Sequence, residues 1–133
     1  MLASSYRLKK EPTIYVPPID PQTKPDQYGT LFSPWVPMGL TKISRNVLQK
    51  MVDHYRTDFE FTDAYQGKLI KTVALFALTF DIVKEDRAVW GAPIGERVLL
   101  SEDYSFCKRA RDLDIPIHVM VEPVPHVGSF VFV

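Results

Sequence analysis

The chain has 133 residues, 46% apolar and 12% aromatic, enough for one domain with its own core and too much for disorder over most of its length. Lysine plus arginine and aspartate plus glutamate stand at 16 each, so no net charge draws the chain toward nucleic acid or an anionic membrane surface. A single cysteine, Cys107, excludes an internal disulfide and the four-cysteine zinc patterns.

The first dozen residues hold Arg7, Lys9, Lys10 and Glu11 without an apolar run, so no signal peptide is expected. No stretch reaches the roughly 20 apolar residues of a membrane span. A soluble, cytoplasmic setting is the expectation. Residues 1–133 are read as a single domain. Pro12, Pro17, Pro18, Pro21, Pro25, Pro34 and Pro37 punctuate residues 12–37, which predicts a Pro-rich surface loop with Thr13 to Val16 as a short extended piece.

Trp35 to Ile43 is expected to form a strand, with Gly39 where the backbone comes close to another group. Ser44 then caps a helix whose Val47, Leu48, Met51, Val52 and Tyr55 follow the helical period. Thr57 to Lys68 is polar and aromatic by turns and is expected to be irregular. Val73 to Val83 alternates, with Phe76, Leu78, Phe80 and Ile82 on one side and Leu75, Ala77, Thr79 and Asp81 on the other, which predicts a strand. A charged turn at Lys84 to Arg87 and a loop from Trp90 to Gly95 lead to a second helix.

That helix is marked at both ends. Ser101 is a suitable N-cap, Glu102 and Asp103 fill the first turn, where the helix dipole favours anions, and Lys108, Arg109 and Arg111 lie toward the other end. Phe106, Cys107, Ala110 and Leu113 recur at helical spacing, so one side packs inward and the charged residues are expected elsewhere. Cys107 falls on the inward side, which predicts a buried structural thiol. Ile115 to Val121 predicts a further strand, and Phe130 to Val133 another.

Two readings of Glu102 and Asp103 stand side by side. They can be plain capping acids, or a carboxylate held as an anion by dipole and backbone amides, which suits a general base and not a general acid. His126, between Pro125 and Gly128, is a single candidate ligand; neither His54 nor His118 has a spacing to it that marks a shared metal. Asp112-Leu113-Asp114 has the form of a diphosphate-metal pair, but it ends a helix and follows no strand, so it reads as a chance match.

Leu100-Ser101-Glu102-Asp103-Tyr104-Ser105-Phe106-Cys107-Lys108-Arg109-Ala110-Arg111, then Ile117-His118-Val119, then His126-Val127-Gly128-Ser129 closely resemble the C-terminal half of nucleotide-sugar glycosyltransferases with the GT-A fold, family 2 in particular. Upstream, Met38-Gly39-Leu40-Thr41-Lys42-Ile43-Ser44-Arg45-Asn46-Val47 resembles that family's strand-into-helix stretch, and the pieces come in the family's order. The resemblance implies an α/β fold, a partial GT-A domain with a mixed sheet and flanking helices. It implies Asp103 as catalytic base with Glu102 positioning the acceptor. Trp35, Gly39, Trp90 and Ser101 fall where sugar is contacted, and His126 where a metal is held.

It further implies a nucleotide-sugar donor, a glycan or other hydroxyl acceptor, and a divalent metal, manganese or magnesium, once a nucleotide-binding half is supplied. This chain shows no such half, with its strand followed by Asp-x-Asp, so activity alone is not expected. The expectation is a fragment, one member of a pair of chains, or a non-catalytic binding and assembly module that keeps the fold remnant. Open strand edges left by the missing half predict a homo-oligomer or a partner chain. Asp114 stands where glycine often ends the family's helix, and aspartate tolerates the left-handed conformation that glycine supplies there.

Overall fold

The computed structural model describes residues 1–7, 15–16, 23–38, 41–84 and 92–124. Within them the chain is a mixed α/β domain of two helices and nine short strands. In chain order these are β1 (Leu2–Arg7), β2 (Tyr15–Val16), β3 (Thr30–Phe32), β4 (Thr41–Lys42), α1 (Arg45–Phe59), β5 (Glu60–Tyr65), β6 (Lys68–Val73), β7 (Phe80–Ile82), β8 (Arg97–Leu99), α2 (Glu102–Asp112) and β9 (His118–Val124). Among the described residues no helix is long and apolar enough to cross a membrane.

The main sheet runs β2-β1-β9-β3, with β4 also on β1. β1 and β9 pair in parallel, and β2, β4 and β3 add on antiparallel. One rung crosses four strands: Lys42 opposite Leu2, Leu2 opposite His118, and His118 opposite Phe32. The next residue along β9, Val119, points the other way because side chains alternate along a strand, and it is fully buried. The sheet therefore has an inner side, which joins the core through Val119, and an outer side bearing His118.

Both helices form where capping and periodicity place them. Ser44 Oγ accepts the Val47 N–H at 3.3 Å, and Met51 is fully buried in the core with Val47, Val52 and Tyr55 packed against it. Leu48, expected inside, lies at the exposed edge of the helix. In α2, Phe106, Cys107 and Ala110 are fully buried and Leu113 packs against the core. Asp114 follows with φ 55°, the left-handed conformation anticipated at this helix end. Asp112 is held in an i,i+4 pair by Lys108 at 2.7 Å, so the Asp-x-Asp match is a helix terminus.

Four expectations are corrected. The stretch expected to be irregular, Thr57 to Lys68, finishes α1 and forms most of a six-rung hairpin, β5 with β6. Gln66 and Gly67 make its turn with φ 48° and 74°, the doubly left-handed arrangement whose twist matches paired strands. β5 places Phe61 and Tyr65 on one side, but every one of its residues is exposed, so that alternation faces solvent and not a core.

The continuous strand from Val73 to Val83 is broken. Residues 74–79 turn inward, with the Ala77 N–H on the Ala74 carbonyl, and pairing resumes only in β7. The cause is Arg109, expected on the outside but only 3% exposed. Its Nη1 donates to the carbonyls of Leu75 and Ala77 at 3.0 and 2.6 Å, while Ser105 Oγ accepts the Thr79 N–H at 3.1 Å. Thus α2 supplies the partners that a ladder would otherwise have given these backbone groups.

Among the described residues of the strand expected from Trp35 to Ile43, only Thr41 and Lys42 pair, because residues 33–38 turn under the end of α2, where Val36 is fully buried. Finally, the strand expected from Ile115 pairs only from His118 onward; Ile115 and Ile117 are core residues ahead of it. The Pro-rich stretch contains β2 and β3, and a tight turn closes between Asp26 and Thr30, where Gly29 takes φ 73°. Phe130 to Val133 lie outside the described residues.

Candidate functional site

The head of α2 meets residues 33–38, and this junction gathers most of the described residues singled out from sequence. Asp103, half-buried in the first turn, accepts the Met38 N–H on Oδ2 at 3.0 Å. Its Oδ1 takes no hydrogen bond among the described residues. One oxygen thus anchors the carboxylate to a chain segment 65 residues away in sequence, and the other keeps its lone pairs.

Trp35 sits on the same segment. Its ring lies 5.5 Å from that of Tyr104 at a tilt of 56°, a geometry typical of aromatic pairs. The Arg111 guanidinium lies 3.8 Å from the Trp35 ring centre, and its Nη2 reaches Asp81 Oδ2 at 3.3 Å. One side of the indole is therefore covered by a cation that is itself held by β7.

Ser101 occupies the N-cap position, with φ −62° and ψ 168°, but its side chain makes no capping hydrogen bond; its carbonyl accepts the Ser105 N–H at 2.8 Å. Glu102 is exposed. The structure thus brings Asp103 and Trp35 together and leaves Ser101 and Glu102 at the rim of the same helix mouth. Gly39, Trp90 and His126 lie outside the described residues.

Cys107, one turn below Asp103, is fully buried, and its Sγ lies 3.5 Å from the Val36 carbonyl. Burial pushes its thiol up to about 11, so it is protonated at neutral pH and serves as packing. Among the described residues, no three histidine, cysteine, aspartate or glutamate side chains come together as a metal site.

Sequence reasoning missed Tyr104 and Arg111 as partners of Trp35, and Met38 as the anchor of Asp103. The only local signal was their position: Tyr104 and Arg111 are seven residues apart, two turns along one side of a helix. No protein-family model matches the chain, and neither does any curated protein or solved structure. What fold and site define is a small mixed α/β domain with a carboxylate and an aromatic pair at a helix mouth.

Proposed function

We propose that this chain is the acceptor-side part of a GT-A nucleotide-sugar glycosyltransferase, with Asp103 as its base. The observation that carries it is the Asp103 carboxylate, anchored through Oδ2 to Met38 with Oδ1 left for a proton, beside Trp35 and Tyr104. In the reaction, an acceptor hydroxyl attacks the donor's anomeric carbon and gives its proton to Asp103. The new glycosidic bond forms as the bond to the diphosphate breaks, and the nucleoside diphosphate leaves. The order of the sequence pieces and the left-handed Asp114 at the end of α2 support the same reading.

The chain by itself is expected to transfer no sugar. Joined to a nucleotide-binding half encoded in frame upstream, it is expected to transfer sugar from a nucleotide-sugar donor, and Asp103→Asn to abolish transfer while leaving the fold intact. Equal transfer by wild type and Asp103→Asn would sink the assignment.

A second reading, a non-catalytic assembly module, is favoured by one specific observation. Phe80 and Leu99 are directly paired across β7 and β8 and, with Leu78 and Ile82, are 46–58% exposed. Such an apolar patch marks an association surface. Light scattering distinguishes the readings in part: association is expected, and a monodisperse 15.2 kDa monomer would count against assembly.

A further inference from the structure

On the outer side of the main sheet, away from the helix mouth, an open cleft of about 440 Å³ is lined by Asp26, Thr30, Lys42, Ser44 and His118, with Leu2 among its apolar residues. That volume is within the range of small-molecule sites. The rung described above explains the gathering. Lys42, Leu2 and His118 are consecutive partners across β4, β1 and β9, so they share one side of the sheet. Thr30 lies two residues from Phe32, the partner of His118, and so joins them diagonally.

The hydrogen bonds fix where the protons are. Asp26 Oδ1 accepts the N–H groups of Tyr28 and Thr30, each at 2.9 Å, and Oδ2 accepts the Thr30 hydroxyl at 2.7 Å. These donors, the backbone N–H of Thr30 first, hold the Asp26 carboxyl below its usual range. Thr30 has spent its only hydroxyl proton on Asp26, so toward His118 Nδ1, at 3.4 Å, it can only accept. A hydrogen bond between the two requires the proton on His118 Nδ1, and in that neutral form Nε2 is left as an acceptor.

The free valences follow from this inventory. Asp26 and Thr30 are satisfied within the turn. Ser44 Oγ accepts the Val47 N–H and keeps its own proton to donate. Lys42, exposed, brings a cation. Among the described lining groups the cleft thus offers the Lys42 cation with the Ser44 and Tyr28 hydroxyls, an imidazole acceptor, and the Asp26 carboxylate tied up by its own turn, over an apolar floor. We infer that it binds a small polyhydroxylated molecule carrying an oxyanion, such as a sugar phosphate, with the oxyanion on Lys42 and Ser44 and a hydroxyl donating to His118.

The test is an NMR titration of the full chain with glucose 6-phosphate, following the histidine ring signals, with glucose and inorganic phosphate as separate arms. Saturable movement of the His118 ring signals is expected, with those of His54 unmoved. Binding should be about tenfold weaker in Lys42→Ala by the same ring signals, and in His118→Phe as followed by the backbone amide signals of Lys42 and Ser44, as expected for losing one charged or one well-placed hydrogen bond. No saturable shift, or equal affinity in Lys42→Ala, overturns the inference. Inorganic phosphate matching glucose 6-phosphate overturns its hydroxyl component. A separate check needs no ligand: ring nitrogen shifts of the neutral wild type should report the Nδ1–H form, and Thr30→Val should lose that preference. Finding the Nε2–H form in the wild type overturns the proton assignment.

Discussion

Replacing Asp103 by alanine and by asparagine separates what this carboxylate does for the fold from what it is proposed to do in chemistry. Asp103→Ala removes a charge-assisted hydrogen bond to the Met38 N–H, a kind of contact worth about 1.5–3 kcal/mol. The lower half of that range applies because the residue is only half-buried. The substitution also removes a negative charge from the first turn of α2, worth about 0.3–1 kcal/mol. The expected loss is about 2–3 kcal/mol. Asp103→Asn places an amide oxygen where Oδ2 stood, so the Met38 bond persists and only the charge is lost, at a cost of about 0.5–1 kcal/mol. Each kcal/mol moves the midpoint of a domain this size by about 3–5 °C, so thermal melts followed by circular dichroism resolve the two variants. Coincident melts of Asp103→Asn and Asp103→Ala, or Asp103→Ala melting with the wild type, would refute the anchoring role. With anchoring confirmed, loss of transfer in the asparagine variant isolates the proton-accepting role.

Arg109→Ala strips the Leu75 and Ala77 carbonyls of their shared donor and removes the guanidinium 4.4 Å from the Phe59 ring centre, so chemical denaturation should show a loss of about 3–5 kcal/mol. Arg109→Met, which keeps the bulk, should recover only part of it; full recovery would mean that packing alone fixes residues 74–79. Cys107 should resist alkylation by iodoacetamide in native buffer and react promptly in denaturant, since the folded thiol is both inaccessible and protonated. Because its folded value, about 11, lies above the unfolded one, the fold holds that proton more tightly; this share of stability is complete below the unfolded value and is lost as pH rises toward 11. The wild type should therefore lose stability relative to Cys107→Ala across that window, and parallel pH profiles would contradict the burial effect. At φ 55°, Asp114→Gly should stabilise by about 0.5–1 kcal/mol and Asp114→Ala should destabilise by a similar amount in urea melts.

How much was legible in the chain depended on whether the deciding interaction was local. α1 and α2 were readable because their determinants lie within one or two turns: Ser44 on Val47, the acids of the first turn of α2, and the inward repeat of Phe106, Cys107 and Ala110. The hairpin was hidden for the opposite reason. Its aromatic residues Phe61 and Tyr65 alternate with polar ones, but both sides of β5 are in solvent, and only Gln66-Gly67 hinted at a turn. Residues 73–83 carried the alternation without forming the continuous strand. Leu78, Phe80 and Ile82 are largely exposed, Phe76 instead stacks at 4.6 Å on buried Phe106, and the backbone between is held by Arg109 and Ser105 from a helix some 30 residues later.

The same distinction runs through the candidate site. Asp103 could be picked out because a carboxylate in a first helical turn is a local pattern, but its partner Met38 is 65 residues away and contributes only a backbone N–H, which no residue identity announces. Trp35 could be picked out as an aromatic residue, yet nothing in its own neighbourhood announces that Arg111, held by Asp81, lies over its ring. A site at which three separate segments meet therefore shows its chemistry in sequence before it shows its geometry. The geometry adds what the residue types do not: Arg111 lies over the Trp35 ring and is itself held by Asp81. Arg111→Ala should strip the ring of its cation and release Asp81, a loss of about 0.5–2 kcal/mol that urea melts would read, and a melt coincident with the wild type would refute the coupling.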